Sequence, residues 1–265
     1  MNEVGGRMGR TISVVNQKGG VGKTTTAVNL SSALALRGNK VLLIDLDPQS
    51  NATVGVGINR GFLEYNGYDV LISDVPSDEA IVSTSVKQLD ILPSTIDLAG
   101  LELSLAGLPE REFQLYKKLE SAREKYDYII IDCPPSLGLV TINALCASHS
   151  ALVPVQCEFY ALDGLTQLLN TIRIVQTRLR PRKRDLKIEG VLLTMLDNRN
   201  NFGFEIVTEV KKYFKEKVFK TIIPRNVQLQ IAPSHGKTIQ QFSPNSRGAL
   251  VYRELAMEVE RNNEK

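Results

Sequence analysis

The stretch QKGGVGKTTT, residues 17–26, decides the fold. It lies between an apolar run of strand length, TISVV (11–15), and an amphipathic segment of helix length at about 24–37. In that setting Gly19, Gly20, Val21 and Gly22 form a turn whose backbone N–H groups can point inward and cradle phosphate oxygens. The helix start adds the positive end of its dipole. Lys23 is then placed for β- and γ-phosphates, Thr24 for a Mg²⁺ ion, and Thr25 for an α-phosphate. The ordinary pattern of such a loop, G-x-x-x-x-G-K-S/T, would put glycine at position 17. Gln17 stands there instead, followed by a second lysine, Lys18. One lysine suffices to hold a nucleotide's phosphates, so Lys18 needs its own explanation.

Outward from the loop, strand-length and helix-length segments alternate. KVLLID (40–45), LDILP (89–93), YDYIIID (126–132), SALVPV (150–155), KIEGVLLTM (187–195) and VFKTII (218–223) read as strands. Several are apolar throughout, as strands covered on both faces are. Helices are expected at about 111–125, 137–147, 161–179, 203–216 and 247–262, besides 24–37. Gly38 sits where a left-handed helix cap belongs. Residues 55–85 carry the weakest pattern and read as loops and short helices. The expectation is an α/β fold: one P-loop domain over 11–265, a mostly parallel twisted sheet flanked by helices on both faces, after a flexible leader at 1–10.

Composition narrows the class. The chain has 265 residues, 43% of them hydrophobic, enough for a substantial core. YIII (128–131) is typical of the longest apolar runs, too short to span a bilayer. MNEVGGRMGR lacks the apolar stretch of a secretory signal, and translation could also start at Met8. Cys133, Cys146 and Cys157 have neither disulfide nor metal-site spacing and read as reduced thiols in a cytoplasmic protein. The net charge of +3 hides an asymmetry. Residues 1–150 hold 13 Lys/Arg against 17 Asp/Glu, and residues 151–265 hold 19 against 12. A basic C-terminal half suits a polyanionic partner or a solvated face.

Two strands end in carboxylates. YIIIDCPPS puts Asp132 at a buried strand end, where an acid holds Mg²⁺ through water. LLIDLDPQSNAT puts Asp45 at another, the edge where parallel sheets present their chemistry. Asp47, before Pro48, reads mainly as a turn cap. No N-K-x-D guanine signature is evident, which favours ATP over GTP.

KGGVGKT, the D-x-D-P-Q segment and IIIDCPP occur in the order and spacing of the ParA/MinD family of deviant Walker A ATPases, which the chain resembles from Thr11 to about Val259. The resemblance implies that Lys18 crosses a subunit interface to phosphates bound by a partner, so that two ATP molecules are sandwiched in a homodimer. It implies that Asp45 orients or deprotonates the attacking water, with Asp47 as support, and that Pro224 and Asn226 of TIIPRNVQ line the adenine. GVLLTMLDNRNNFG, KTIIPRNVQLQIAPSHGKTI and SPNSRGALVYRELAMEVE are similar to the small chromosomal ParA branch. That branch implies ATP-dependent, sequence-independent binding to double-stranded DNA, a nucleoid location, and slow hydrolysis stimulated by a ParB partner.

The basic runs RLRPRKRDLK (178–187) and KKYFKEKVFK (211–220) agree with that reading; the resemblance implies Arg199 and Arg225 as DNA contacts, and Lys220 and Arg247 are further candidates. A MinD-like membrane role is the alternative. The tail YRELAMEVERNNEK, with four glutamates against two arginines and one lysine, suits anionic lipid poorly, and stable membrane binding is not expected. An iron–sulfur carrier of the same superfamily would use C-x-x-C pairs, which the three cysteines do not form.

Overall fold

The structure, a computed structural model, describes residues 9–158, 165–179, 186–197 and 201–263. Seven strands appear among them: β1 (Arg10–Val14), β2 (Val41–Asp45), β3 (Val82–Ser83), β4 (Leu89–Leu92), β5 (Tyr128–Asp132), β6 (Ser150–Gln156) and β7 (Lys187–Thr194). They form one sheet in the order β3-β4-β2-β5-β1-β6-β7, parallel except for β3 at its edge.

The first helices are α1 (Lys23–Leu36), α2 (Asn51–Gly55), α3 (Gly67–Ile72), α4 (Ser77–Ala80), α5 (Leu101–Ala106), α6 (Gln114–Lys118) and α7 (Glu120–Lys125). After β5 come α8 (Leu139–Ala147), α9 (Leu165–Arg178), α10 (Asn201–Phe214), α11 (Val227–Ile231), α12 (Ile239–Phe242) and α13 (Arg247–Asn263).

Successive strand residues face opposite layers. Ile12, Val14, Val41, Leu43 and Ile130 pack with Leu30 and Leu34 of α1 and with Val251, Leu255 and Val259 of α13. Leu42, Ile44, Ile129 and Ile131 pack on the other side with α6, α8, α9 and α10. A doubly covered parallel sheet follows from these continuous apolar strands, as expected. α1 ends in the cap expected at Gly38. Its φ is +97°, its N–H donates to Ala35 O, and Asn39 N donates to Leu34 O, which is the Schellman pattern.

Three expectations are corrected. VFKTII is not a continuous strand of the sheet: Phe219 N and Ile223 N donate to Val191 O and Leu193 O of β7, but the ladder is reduced to isolated bridges, Val218 to Val191 and Pro224 to Leu196 just beyond β7. The buried carboxylate of Glu258 on α13 takes the N–H groups of Lys220 and Thr221 and the Thr221 hydroxyl, so these amides turn away from β7. The helix expected at 111–125 is broken at Leu119 into α6 and α7, preceded by a 3₁₀ turn at Arg111–Phe113. Leu115, Leu119 and Ala122 are all fully buried across that break. Finally, Gly9 and Arg10 belong to the fold rather than to a leader. Gly9 N donates to Arg123 O, and a Cβ at Gly9 would lie 2.0 Å from Tyr126 O. The rest of the expected leader, 1–8, lies outside the described residues.

The register gathers the site. Asp45 and Val14 both pair with Asp132, so β2, β5 and β1 end side by side at one edge of the sheet. β1 lies between β5 and β6, where successive connections diverge, the usual place for a ligand crevice.

Candidate functional site

The loop between β1 and α1 is anchored at both ends. Asn16 donates to Pro154 O of β6 at 2.7 Å and accepts from Lys18 N at 3.0 Å. Val21 O accepts from the Thr194 hydroxyl at 2.9 Å. Between these anchors Gly20 (φ +75°) and Gly22 (φ +89°) adopt the left-handed conformation that glycine enters without steric cost. Gly22 caps α1 without a side-chain bond, which leaves the first-turn N–H groups directed at the crevice.

The two lysines diverge. Lys23 is buried, and its ammonium donates to Lys18 O at 3.0 Å. Burial lowers its pKa, against the opposing pull of the Asp132, Cys133 and Asp47 charges. Lys18 is half-buried at the rim, and its ammonium has no bonded partner among the described residues.

The three carboxylates lie in different surroundings. Asp132 is fully buried, and neither oxygen makes a hydrogen bond of ordinary geometry among the described residues, although the Thr24 hydroxyl lies close enough to interact with it. Burial and the neighbouring Asp45 charge raise its pKa well above the usual range; nearby Thr24 and Lys23 counter only part of this. An orphaned buried carboxylate beside a threonine hydroxyl fits a Mg²⁺ site completed by phosphate and water. Among the described residues no group of three His, Cys, Asp or Glu could hold a metal on its own, so such an ion would need the nucleotide's oxygens.

Asp45, expected to orient water, has its oxygens engaged elsewhere. One accepts from both Thr53 N and the Thr53 hydroxyl at 2.8 Å, the other from Asp47 N at 3.1 Å. It is fully buried, and burial pushes its pKa up to about 6 despite these bonds. Asp47 caps the following turn through one oxygen, which accepts from Gln49 N at 2.9 Å; its second oxygen has no bonded partner among the described residues. Of these two, Asp47 thus keeps one oxygen unbonded among the described residues, while both oxygens of Asp45 are bonded.

Beside the loop lies a cavity of about 580 Å³. Gly22, Thr24 and Thr25 form one end; Pro224, Asn226 and Leu229 line it further along, with Asn51 and Val54 of α2 and Tyr252 of α13. The two residues expected at the adenine thus share a cavity with the phosphate loop. The Asn226 side chain also caps α11 by accepting from Gln228 N. Asn16, Thr53, Ser94 and Thr194 were not singled out from sequence. Thr53 lies within LLIDLDPQSNAT, but only the folded chain joins it to Asp45.

The candidate DNA contacts are not one cluster. Arg199 lies outside the described residues, as does most of the run 178–187. Arg225 is exposed at the cavity wall, 3.8 Å from Glu158. Exposed Arg247 opens α13, beside Gly248, whose added Cβ would come within 3.0 Å of Leu229. Lys220 is tied near Glu258, 11 residues along α13 and so about 16 Å from Arg247. The three cysteines are buried, and burial raises Cys146 to about 12 and Cys157 to about 11. No described helix is long and apolar enough to cross a membrane.

A family model described as AAA domain matches residues 9–188. The sporulation initiation inhibitor protein Soj of Bacillus subtilis is 58% identical over 96% of this chain and 100% of its own. The chromosome partitioning protein ParA of Myxococcus xanthus is 48% identical over 95% and 88%. Among solved structures, cobyrinic acid a,c-diamide synthase from Mycobacterium smegmatis, with bound ADP and magnesium, superposes with a TM-score of 0.85. It is 38% identical, covering 97% of this chain and 96% of that one.

Proposed function

The chain belongs to the AAA-domain ATPases of ParA/MinD type and, within them, to the ParA and Soj partitioning proteins, and on that premise we propose that it partitions DNA as an ATP-gated, DNA-binding homodimer. Partitioning is preferred over diamide synthesis on identity, 58% against 38%.

The observation that carries the reading is the divergence of the two lysines. Lys23 reaches inward to its own loop, while the Lys18 ammonium stands at the rim without a partner among the described residues. On this reading Lys23 leaves the Lys18 carbonyl for the phosphates, and the loop amides of residues 19–22 take the remaining oxygens. The base occupies the cavity beside Pro224 and Asn226. Thr24 and Asp132 would hold Mg²⁺, which when bound neutralises charge between the β- and γ-phosphates. Asp47 aligns the attacking water with its free oxygen, and Asp45 fixes the backbone that carries it. Phosphoryl transfer asks for this positioning and charge neutralisation more than for covalent help.

Lys18 supplies the partner subunit's nucleotide with a charge-assisted bond that exists only while the triphosphate does. Pairing therefore follows the nucleotide, and doubling of the basic surface raises DNA affinity through avidity. A ParB-like protein that completes the site would trigger hydrolysis and release. Such a protein acts on DNA in the cytoplasm, at the nucleoid.

The membrane alternative is disfavoured by α13. Its apolar residues Tyr252, Leu255 and Val259 are buried with α1, and its Glu258 holds residues 220–221. That face is not available to lipid.

The test is DNA binding by wild type and Lys18→Ala with ATP, ADP or no nucleotide. Binding only by wild type with ATP is expected. Equal binding under all three conditions refutes the switch.

A further inference from the structure

Asp47 carries its side chain on a backbone held from two sides, and the holding groups come from elements distant in sequence. Its N–H donates to Asp45 at the end of β2. Its C=O accepts from the Ser94 hydroxyl, just beyond β4, at 2.6 Å. One side chain joins these two arms. The Thr53 hydroxyl donates to Asp45 Oδ2 at 2.8 Å and accepts from Ser94 N at 2.9 Å. Asp45, Thr53 and Ser94 are all fully buried.

A closed, buried ring of this kind has few alternative arrangements, because a polar group left unpaired inside it loses its hydrogen bonds to water without replacement. Thr53 also belongs to α2, whose Asn51, Val54 and Gly55 line the nucleotide cavity. The ring thus connects the wall of the cavity to the residue with the free carboxylate oxygen.

We propose that Thr53 is a positioning residue for hydrolysis: through Asp45 and Ser94 its hydroxyl fixes the backbone of Asp47 and aims that free oxygen. The inference rests on the reading of Asp47 as the water-aligning group. Thr53 touches neither water nor phosphate in this scheme. Its removal therefore lowers turnover and spares ATP binding, which depends on the loop and on Lys23.

The test compares Thr53→Val, Thr53→Ser, Ser94→Ala, Asp47→Ala and the double variant Thr53→Val/Asp47→Ala. It measures kcat for ATP hydrolysis, equilibrium affinity for a fluorescent ATP analogue, and thermal midpoint. Thr53→Val keeps the side-chain shape and the backbone bond to Asp45 while losing the hydroxyl. It is expected to lower kcat by about 10- to 100-fold, the effect of a small misplacement of a catalytic group, with little change in affinity. Thr53→Ser restores the hydroxyl and should recover most of that loss, and Ser94→Ala should act in the same direction as Thr53→Val. In the Asp47→Ala background, Thr53→Val should remove little more. Full turnover by Thr53→Val, or a loss multiplied undiminished onto that of Asp47→Ala, overturns the positioning role. So does a parallel fall in affinity and kcat that serine does not restore. Full turnover by Asp47→Ala instead overturns the reading of Asp47 itself.

Discussion

The ammonium of Lys23 is bonded to the backbone carbonyl of Lys18, 3.0 Å away. Lys23 therefore closes its own loop and, in the proposed role, must leave that carbonyl to meet a nucleotide. Lys23→Ala removes a charged donor worth about 1.5–3 kcal/mol, so ATP affinity should fall about 10- to 100-fold. Titration with a fluorescent ATP analogue measures the loss.

Asp132 should behave as a group that waits for its cation. Its orphaned carboxylate beside Asp45 burdens the nucleotide-free fold. Asp132→Asn removes that charge and should raise the nucleotide-free melting midpoint by roughly 2–4 °C, the shift that about 1 kcal/mol produces in a chain of this size. The same variant should lose Mg²⁺-dependent hydrolysis. Melting curves and a phosphate-release assay test the two halves separately.

The pH dependence follows from the same pair. Asp45 is raised to about 6, and Asp132 is raised well above the ordinary carboxylate range by burial and by Asp45. Folded-state values above the unfolded ones mean that the folded chain binds these protons more tightly. Their stabilising contribution is complete below the ordinary carboxylate range and is lost as pH rises, through about 6 for Asp45. Without nucleotide the protein should therefore lose stability between about pH 4 and pH 7. The gain from Mg²⁺ and an ATP analogue should be larger at pH 7.5 than at pH 5, and Asp132→Asn should flatten both trends. Thermal melts across pH measure this.

Glu258 ties the base-side segment to α13. Glu258→Ala leaves the Lys220 and Thr221 amides without their acceptor, at a cost of about 1–3 kcal/mol in stability. Because residues 223–226 line the cavity just beyond, ATP affinity should fall too. Unfolding in urea and nucleotide titration report the two effects.

DNA affinity should fall linearly with log salt, by roughly one unit of slope per phosphate neutralised. Arg225→Ala and Arg247→Ala should each reduce the slope by about one if each meets a phosphate. Filter binding or anisotropy over a salt series measures it, and an unchanged slope removes that arginine from the interface.

The parts of the site written in contiguous residues were legible before the fold was known. The phosphate loop, Lys23 and the strand end at Asp132 depend on local pattern: an apolar strand, a glycine turn and a helix start. Pro224 and Asn226 could be named from a short segment, and both line the cavity. What depends on distant partners was not legible. Which of Asp45 and Asp47 keeps a free oxygen is decided by Thr53 and by Ser94 on another strand connection. VFKTII has the apolar character of a strand, yet Glu258, far along the chain, takes the amides of Lys220 and Thr221. The short helices α2, α11 and α12 have too few residues to show a period, and packing rather than propensity maintains them.

The central claim is that Lys18 acts on the nucleotide of a partner subunit. The direct measurement is the solution mass of wild type and Lys18→Ala, each saturated with a non-hydrolysable ATP analogue and Mg²⁺. Wild type should double its mass with the analogue and remain single with ADP, while Lys18→Ala should bind the analogue and stay single. A nucleotide-loaded wild type that stays single, or a Lys18→Ala variant that pairs as wild type does, would contradict the account.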